Sequence, residues 1–179
     1  MKSYKILATA LALSLAISSC EKAKDLIDTK IEFSLDETFT AKNANGEYLF
    51  STVFSSLDDA NISDNMADIK SYSIESVTVT LENLETETDP SFDKIDILIT
   101  GTTNIINLPI TSSDGAISLK GLQAQGAYDI TPDGDAAAAL LEIIESGEDV
   151  SLKVSGTIDD GPATFDMAFS IKGKVVVGL

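Results

Sequence analysis

The sequence predicts a mainly β fold, an antiparallel β-sandwich of seven to nine strands with one amphipathic helix near residues 135–146. Apolar and polar residues alternate over most of the chain after residue 30, as in strands that bury one face. Helical spacing dominates only one long segment, whereas an α/β sheet needs a helix between successive strands. A membrane barrel is the rival all-β prediction. We disfavour it because Trp is absent and the few aromatic residues form no paired girdles.

Alternating segments in the first part of the chain predict the early strands. They cover residues 31–35, 48–54, 77–81, 95–99 and 106–110, with a short continuation at Ile117 and Leu119. The pair Asn45-Gly46 is typical of a turn and predicts a break before the second strand. Pro109 cannot donate a ladder hydrogen bond, so the strand that contains it is predicted to lie at a sheet edge.

Helical spacing marks one clear segment and one weak one. The clear segment is amphipathic and about three turns long, with Asp135 as the predicted N-cap and Gly147 as the stop. Its apolar positions are Ala136, Ala137, Leu140, Leu141 and Ile144. The weak segment covers residues 64–70, capped by Ser63 with Met66 and Ile69 facing inward. An ordered loop is an equally good interpretation of it.

The last two predicted strands have the clearest pattern. Residues 150–158 and 165–171 keep one apolar parity each and flank Asp159-Asp160-Gly161-Pro162. This arrangement predicts a hairpin. The same parity continues to the C-terminus, so the final strand is long, with Gly173 at a bend.

The N-terminus carries a different signal. Lys2 and Lys5 precede an apolar run over residues 6–17, which is long enough for a secretion signal and too short for a bilayer-spanning helix. The sequence Ile17-Ser18-Ser19-Cys20 follows and resembles the lipobox of bacterial lipoproteins. The resemblance implies cleavage before Cys20 and a thioether-linked lipid on it. The alternative is an ordinary signal peptide followed by a free cysteine.

This interpretation divides the chain into three parts. Residues 1–19 form the lipoprotein signal peptide, residues 20–30 the lipidated cysteine and a short tether, and residues 31–179 a single β-sandwich domain. Cys20 is the sole cysteine, so the domain has no disulfide. Two or three acyl chains on one cysteine anchor a protein stably, and the membrane is therefore a predicted partner.

The net charge and the predicted cellular location limit the classes of possible partner further. The full chain has a formal net charge of −17, and loss of Lys2 and Lys5 with the signal peptide makes it two units more negative. Phosphate binding needs clustered cations, so nucleic acid is excluded as a partner. Glu21 follows the cysteine, whereas the inner-membrane retention signal of known lipoproteins is Asp. We therefore expect the outer membrane of the cell envelope, with its periplasmic and surface faces both open.

Two family resemblances concern the folded part. The run Ile69-Lys70-Ser71-Tyr72-Ser73-Ile74-Glu75-Ser76-Val77-Thr78-Val79 resembles the opening strand of lipoproteins common in Bacteroidota, and this likeness implies no known activity. The run Val150-Ser151-Leu152-Lys153-Val154-Ser155-Gly156-Thr157, followed by a long last strand, is similar to the end of LEA14-like β-sandwich domains. It implies the sandwich fold and assigns no functional residue.

This chain lacks the residues that most catalytic systems need. There is no histidine, which excludes Ser-His and Cys-His nucleophiles, and no glycine-rich phosphate loop or zinc-spaced cysteine set occurs. A Ser-Lys dyad or a carboxylate pair of the glycosidase type needs no histidine and stays open as a third possibility. We predict a protein that is not an enzyme and has no cofactor beyond its covalent lipid.

Two weaker sites are candidates. Asp59, Asn61 and Ser63 place oxygen side chains at alternate positions, as calcium ligands, although Asp64 stands where an EF-hand needs Gly. An apolar ligand would be lined by aromatic and sulfur side chains of the strands. Those side chains are Phe50, Phe54, Phe165, Met167 and Phe169, and core packing is the alternative for them.

The function predicted from the sequence is a non-enzymatic binding or interaction module in the cell envelope. Its partner would be a protein, a glycan or an apolar ligand. The alternative function is a periplasmic carrier of lipid or another apolar small molecule, which requires a cavity with few charges inside. An interaction module requires an exposed apolar patch or an open edge strand instead.

Overall fold

The computed structural model describes residues 28–111 and 116–178, and it is an antiparallel β-sandwich. Its strands are β1 (Asp28–Phe54), β2 (Ile69–Glu85), β3 (Ser91–Thr100), β4 (Ile105–Ile110), β5 (Ile117–Ser118), β6 (Ala127–Ile130) and β7 (Val150–Gly178). A 3₁₀ helix (Ser56–Asp58) and helix α1 (Ala60–Ser63) follow β1. Helices α2 (Leu119–Gln125) and α3 (Gly134–Ser146) lie later in the chain.

Strands β1 and β7 form one long antiparallel ribbon. Their register runs from Asp28 opposite Gly178 to Phe54 opposite Val150. It shifts only between Ala41 and Gly46, where β1 bulges. Across this point β7 contains Asp160 and Gly161 at φ 67° and 119°. Positive φ at adjacent residues turns a strand sharply, so both strands bend at the same level. We call this bend the corner.

The corner divides the sheet into two layers. Beyond β7, the first half of β1 continues into β2 and β6, and its second half continues into β3 and β4. Aromatic rings from opposite sides of the corner meet in the core. Phe39 stacks on Phe50 at 5.5 Å between ring centroids, and Phe165 meets Phe92 edge-on at 5.7 Å. The layers therefore pack face to face.

Alternation in the sequence gives the core directly. Ile95, Ile97 and Ile99 of β3 are fully buried, and the alternate residues of β7 from Phe165 to Val177 are buried as well. The predicted parity of these strands is confirmed. β4 pairs with β3 alone in the described residues, so Pro109 does lie on an edge strand.

The predicted turn before the second strand and the predicted C-terminal hairpin are both wrong. Asn45-Gly46 and Asp159-Asp160-Gly161-Pro162 lie inside continuous strands, at the corner. The segments that flank each sequence pair with the other long strand rather than with each other. Turn residues supply positive φ, which serves a bend within a strand as well as a reversal of the chain. Strand β1 also begins at Asp28, three residues before the predicted domain start at residue 31.

The main helix is confirmed with one change at its start. α3 ends at Gly147, which is left-handed at φ 65°, as predicted. Its N-cap is Asp133, whose carboxylate accepts the Ala136 N–H at 2.8 Å, and not Asp135. Leu140, Ile143 and Ile144 bury its apolar face.

Three local expectations around the short helices are wrong. The helical turn lies at Ala60–Ser63 because Asp59 rather than Ser63 is the N-cap, and residues 64–68 form turns, as the ordered-loop interpretation of this segment holds. Met66 is 45% exposed instead of facing inward. Leu119 begins α2 rather than extending a strand, since the Ser118 hydroxyl accepts the Gly121 N–H and caps a helix there.

Within residues 28–111 and 116–178, no helix has the length and hydropathy needed to cross a membrane.

Candidate interaction surface

The outer faces of the two layers differ in charge. One is formed by the outward positions of the second half of β1, the first half of β7, β3 and β4, which the pairing register places side by side. We call it the neutral face. Its residues are Leu49, Ser51 and Val53 of β1, Ser151, Lys153 and Ser155 of β7, Asp96, Leu98 and Thr100 of β3, and Ile105, Asn107 and Pro109 of β4.

Exposed apolar side chains distinguish the neutral face. Leu49 is 67% exposed, Val53 60% and Ile105 72%. Register places Val53 beside Ser151, and Ile105 beside Thr100, in the same row of the sheet. Small hydroxyl side chains lie between them. Burial of a large aliphatic side chain in a partner stabilises a complex by about 1.5–3 kcal/mol when it is complete.

Charges on the neutral face are few and partly paired. The Asp96 carboxylate contacts Lys94 Nζ at 2.8 Å. Lys153 is the other charged residue among the positions of this face, and Glu47, the next outward residue of β1, borders it. The opposite outer face is strongly charged, and its charged residues include Glu32, Asp36, Glu75, Glu82, Asp129, Asp166, Lys172 and Lys174. A partner therefore meets little charge desolvation at the neutral face alone.

Strand β1 is also an edge strand in both layers. β7 is the only strand that pairs with it in the part of the chain that the structure describes. Its free side is covered at residues 32–34 by the segment after β1. The Asp59 carboxylate accepts the Ser34 N–H at 2.9 Å, and the Asn61 amide donates to the Glu32 carbonyl at 2.8 Å. These side chains take the place of a neighbouring strand.

The proposed calcium ligands thus lie at this covered edge. Besides Ser34, Asp59 accepts the N–H groups of Asn61 and Ile62 as the cap of α1. Ser63 bonds the Ala60 carbonyl. In residues 28–111 and 116–178, no group of three or more acidic side chains is placed to hold a metal ion. Calcium binding stays a prediction, and the described contacts explain these residues as a helix cap and an edge cover.

The predicted apolar lining is part of the core. Phe165, Met167 and Phe169 are at most 2% exposed, and Phe54 is 5% exposed. Phe50 is half-buried, stacks on the ring of Phe39 and contacts the tilted ring of Tyr48. These side chains belong to the hydrophobic core or pack against it, as the alternative interpretation holds. Phe54 also borders a shallow acidic depression next to Asp58.

This layer also contains two buried polar groups that were not predicted from the sequence. The Tyr48 hydroxyl and Asp96 Oδ1 are buried and have no hydrogen-bond partner in the described residues. Burial, followed by the nearby charge of Asp96, raises the pKa of Tyr48. The phenol therefore remains a neutral donor at physiological pH. Gly156 makes room for it, since a Cβ there would lie 2.6 Å from the hydroxyl.

Cys20 and the lipobox residues Ile17, Ser18 and Ser19 lie outside the described residues. The neutral face was not named from the sequence, although its signal is present there. The outward positions 49, 51 and 53 and 151, 153 and 155 contain no acid, in a chain where acids outnumber lysines by 29 to 12. The lack of acids at these outward positions is the sequence signal of the neutral face.

Comparison with known proteins yields a few distant structural similarities. No family model and no curated protein matches the chain. The solved structure of desmodium yellow mottle tymovirus aligns over 86% of this chain and 84% of its own, with 11% identity and a TM-score of 0.37. Turnip yellow mosaic virus aligns over 86% and 96%, with 10% identity and a TM-score of 0.31. Tobacco necrosis virus aligns over 86% and 97%, with 12% identity and a TM-score of 0.33.

Proposed function

We propose that the chain is a lipid-anchored, non-enzymatic module of the cell envelope that binds a protein partner through its neutral face. The observation that supports this function is the contrast between the two outer faces of one sandwich. Leu49, Val53 and Ile105 are exposed on one, and the other is covered with charges. Large exposed apolar side chains that share one face, with small polar side chains between them, supply the apolar contacts of an interaction site.

The anchor follows from the sequence. The segment Ile17-Ser18-Ser19-Cys20 resembles a lipobox, and Glu21 favours the outer membrane. A protein tethered in this way meets its partner in two dimensions, so a modest interface is sufficient. Interfaces of this kind combine an apolar centre with a polar rim.

Site-specific photo-crosslinking in the native cell tests the proposed face. A photoreactive amino acid is placed at Leu49 or Val53, and at Thr38 as the control. Thr38 is an exposed β1 residue on the charged outer face. We expect one discrete crosslinked protein from Leu49 and Val53 and none from Thr38. Equal crosslinking from all three positions, or none from any, contradicts the proposal.

A further inference from the structure

The free side of β1 continues beyond its covered part, next to the neutral face. Resting on the proposed function, we propose that the β1 edge at residues 47–54 accepts an extended peptide segment of the partner that carries Lys or Arg. The segment would add a strand to the layer β4-β3-β7-β1. Main-chain hydrogen bonds would supply affinity, as in other cases of strand addition.

This part of the edge lacks the usual protection. Its register against β7 runs without a shift from Gly46 opposite Ile158 to Phe54 opposite Val150, so no bulge disrupts it. Residues 47–54 contain neither Lys nor Pro. Exposed edges in natural proteins are normally short, bulged or charged, or carry Pro. The other edge strands follow that rule, since β4 contains Pro109 and β6 has only four residues.

The covered part of the same strand, at residues 32–34, shows what residues 47–54 lack. At Ser34 and Glu32, an acceptor from Asp59 and a donor from Asn61 satisfy the outward backbone groups. No side chain of the described residues makes such a bond to the backbone of residues 47–54. The chain thus covers this edge at residues 32–34 and leaves residues 47–54 open to an added strand.

Charge at both ends of the open edge selects the occupant. Glu47 lies at one end. At the other end, Asp36, Glu37 and Asp58 surround a shallow pocket beside Phe54. None of these three acids lies within 4.0 Å of a lysine Nζ in the described part of the chain. A strand with basic residues at its ends complements this arrangement.

The same charges disfavour a second copy of this chain. Antiparallel pairing of two identical edges would place Glu47 of each copy beside the acidic pocket of the other. Like charges at such contacts are destabilising. A strand of another protein with cationic ends would instead be attracted by these acids. We therefore propose such a strand, rather than a second copy of this chain, as the occupant.

Amide hydrogen exchange on the lipidated mature chain in nonionic detergent tests this inference. The probe is an eight-residue peptide of alternating valine and threonine with lysine at each end. The matched peptide has glutamate at each end. We expect the lysine peptide to slow exchange at residues 47–54 and to bind about tenfold more tightly than the glutamate peptide.

Two variants separate strand pairing from general charge attraction. Val53→Lys adds a gatekeeper charge beside the open edge and should weaken binding of the lysine peptide severalfold. Thr38→Lys makes the same charge change on the other layer and should leave binding unchanged. Equal loss in both variants, or no protection by the lysine peptide, overturns the inference.

The outcomes also distinguish this inference from the proposed function. Crosslinks from Leu49 and Val53 without exchange protection at 47–54 would leave the neutral face as the binding site and refute strand addition. Protection that appears without peptide and grows with protein concentration would identify a second copy as the occupant, which overturns the choice made here. Absence of both signals refutes both proposals.

Discussion

The Asp59 carboxylate caps a helix and also bonds the edge of a strand. Its removal should therefore lower the free energy of unfolding more than an ordinary surface substitution does. Its carboxylate accepts the N–H groups of Asn61 at 2.7 Å, Ile62 at 3.3 Å and Ser34 at 2.9 Å. Loss of an N-cap costs about 0.5–2 kcal/mol. A hydrogen bond to a charged acceptor contributes about 1.5–3 kcal/mol. Because water can reach part of this edge, we expect Asp59→Ala to lower the free energy of unfolding by about 2–3 kcal/mol.

Thermal unfolding followed by circular dichroism measures this effect. For a domain of this size the loss corresponds to a decrease in Tm of about 5–10 °C. Asp64→Ala is the matched control, since Asp64 is exposed and its side chain makes no hydrogen bond in the described residues. Asp59→Asn keeps an acceptor and should fall between the two. Exchange of the Ser34 amide should become faster in Asp59→Ala only.

A result that places Asp59→Ala within about 0.5 kcal/mol of the control would refute the reasoning, because ordinary surface substitutions have effects of that size. The same melting experiment tests calcium. A bound ion would raise Tm by mass action. Since the Asp59 oxygens already accept backbone N–H groups, we expect no difference between millimolar calcium and chelator.

Three further predictions concern other parts of the molecule. Gly173→Ala should destabilise the domain by about 1–3 kcal/mol or more in urea unfolding, because its Cβ would lie 2.2 Å from the Ser73 carbonyl and 2.6 Å from the Phe33 ring. Gly134→Ala, which meets nothing within 4 Å, should be nearly neutral. The charge of Asp93 is the main cause that raises the pKa of Asp159, so folding binds a proton there and stability falls as pH rises through that raised pKa. Asp93→Asn should therefore raise Tm at pH 7 and lose this advantage near pH 3, and an equal Tm difference at both pH values would contradict the assignment. Cys20→Ala should move the protein from the membrane fraction to the soluble one, whereas unchanged retention would show that the lipobox resemblance is misleading.

Local pattern was sufficient for much of the fold. Period-two alternation identified the buried face of β3 and β7, and Gly147 marked the end of α3. These features depend on neighbours in the chain. The same alternation also defines the positions of the neutral face. They are the outward positions, whereas core residues occupy the inward ones.

Long-range pairing could not be predicted in the same way. Asn45-Gly46 and Asp159-Asp160-Gly161-Pro162 allow positive φ in a hairpin or in a bent strand, and the choice depends on which distant strand is the partner. Asp59 and Asn61 likewise look like ion ligands in isolation. Their bonds to Ser34 and Glu32 connect residues 25 and 29 positions apart, which no local spacing reveals.

The ribbon of β1 and β7 also has a consequence for the order of folding. Strand β1 cannot form its pairs before β7 is present, since Asp28 pairs with Gly178 and Phe54 with Val150. Closing such a large loop is slow, and the pairing of β2 and β3 also depends on β7. A chain exported as proposed would therefore cross the membrane with its central strand absent until the end. Neither layer of the sandwich can be completed before β7 is present.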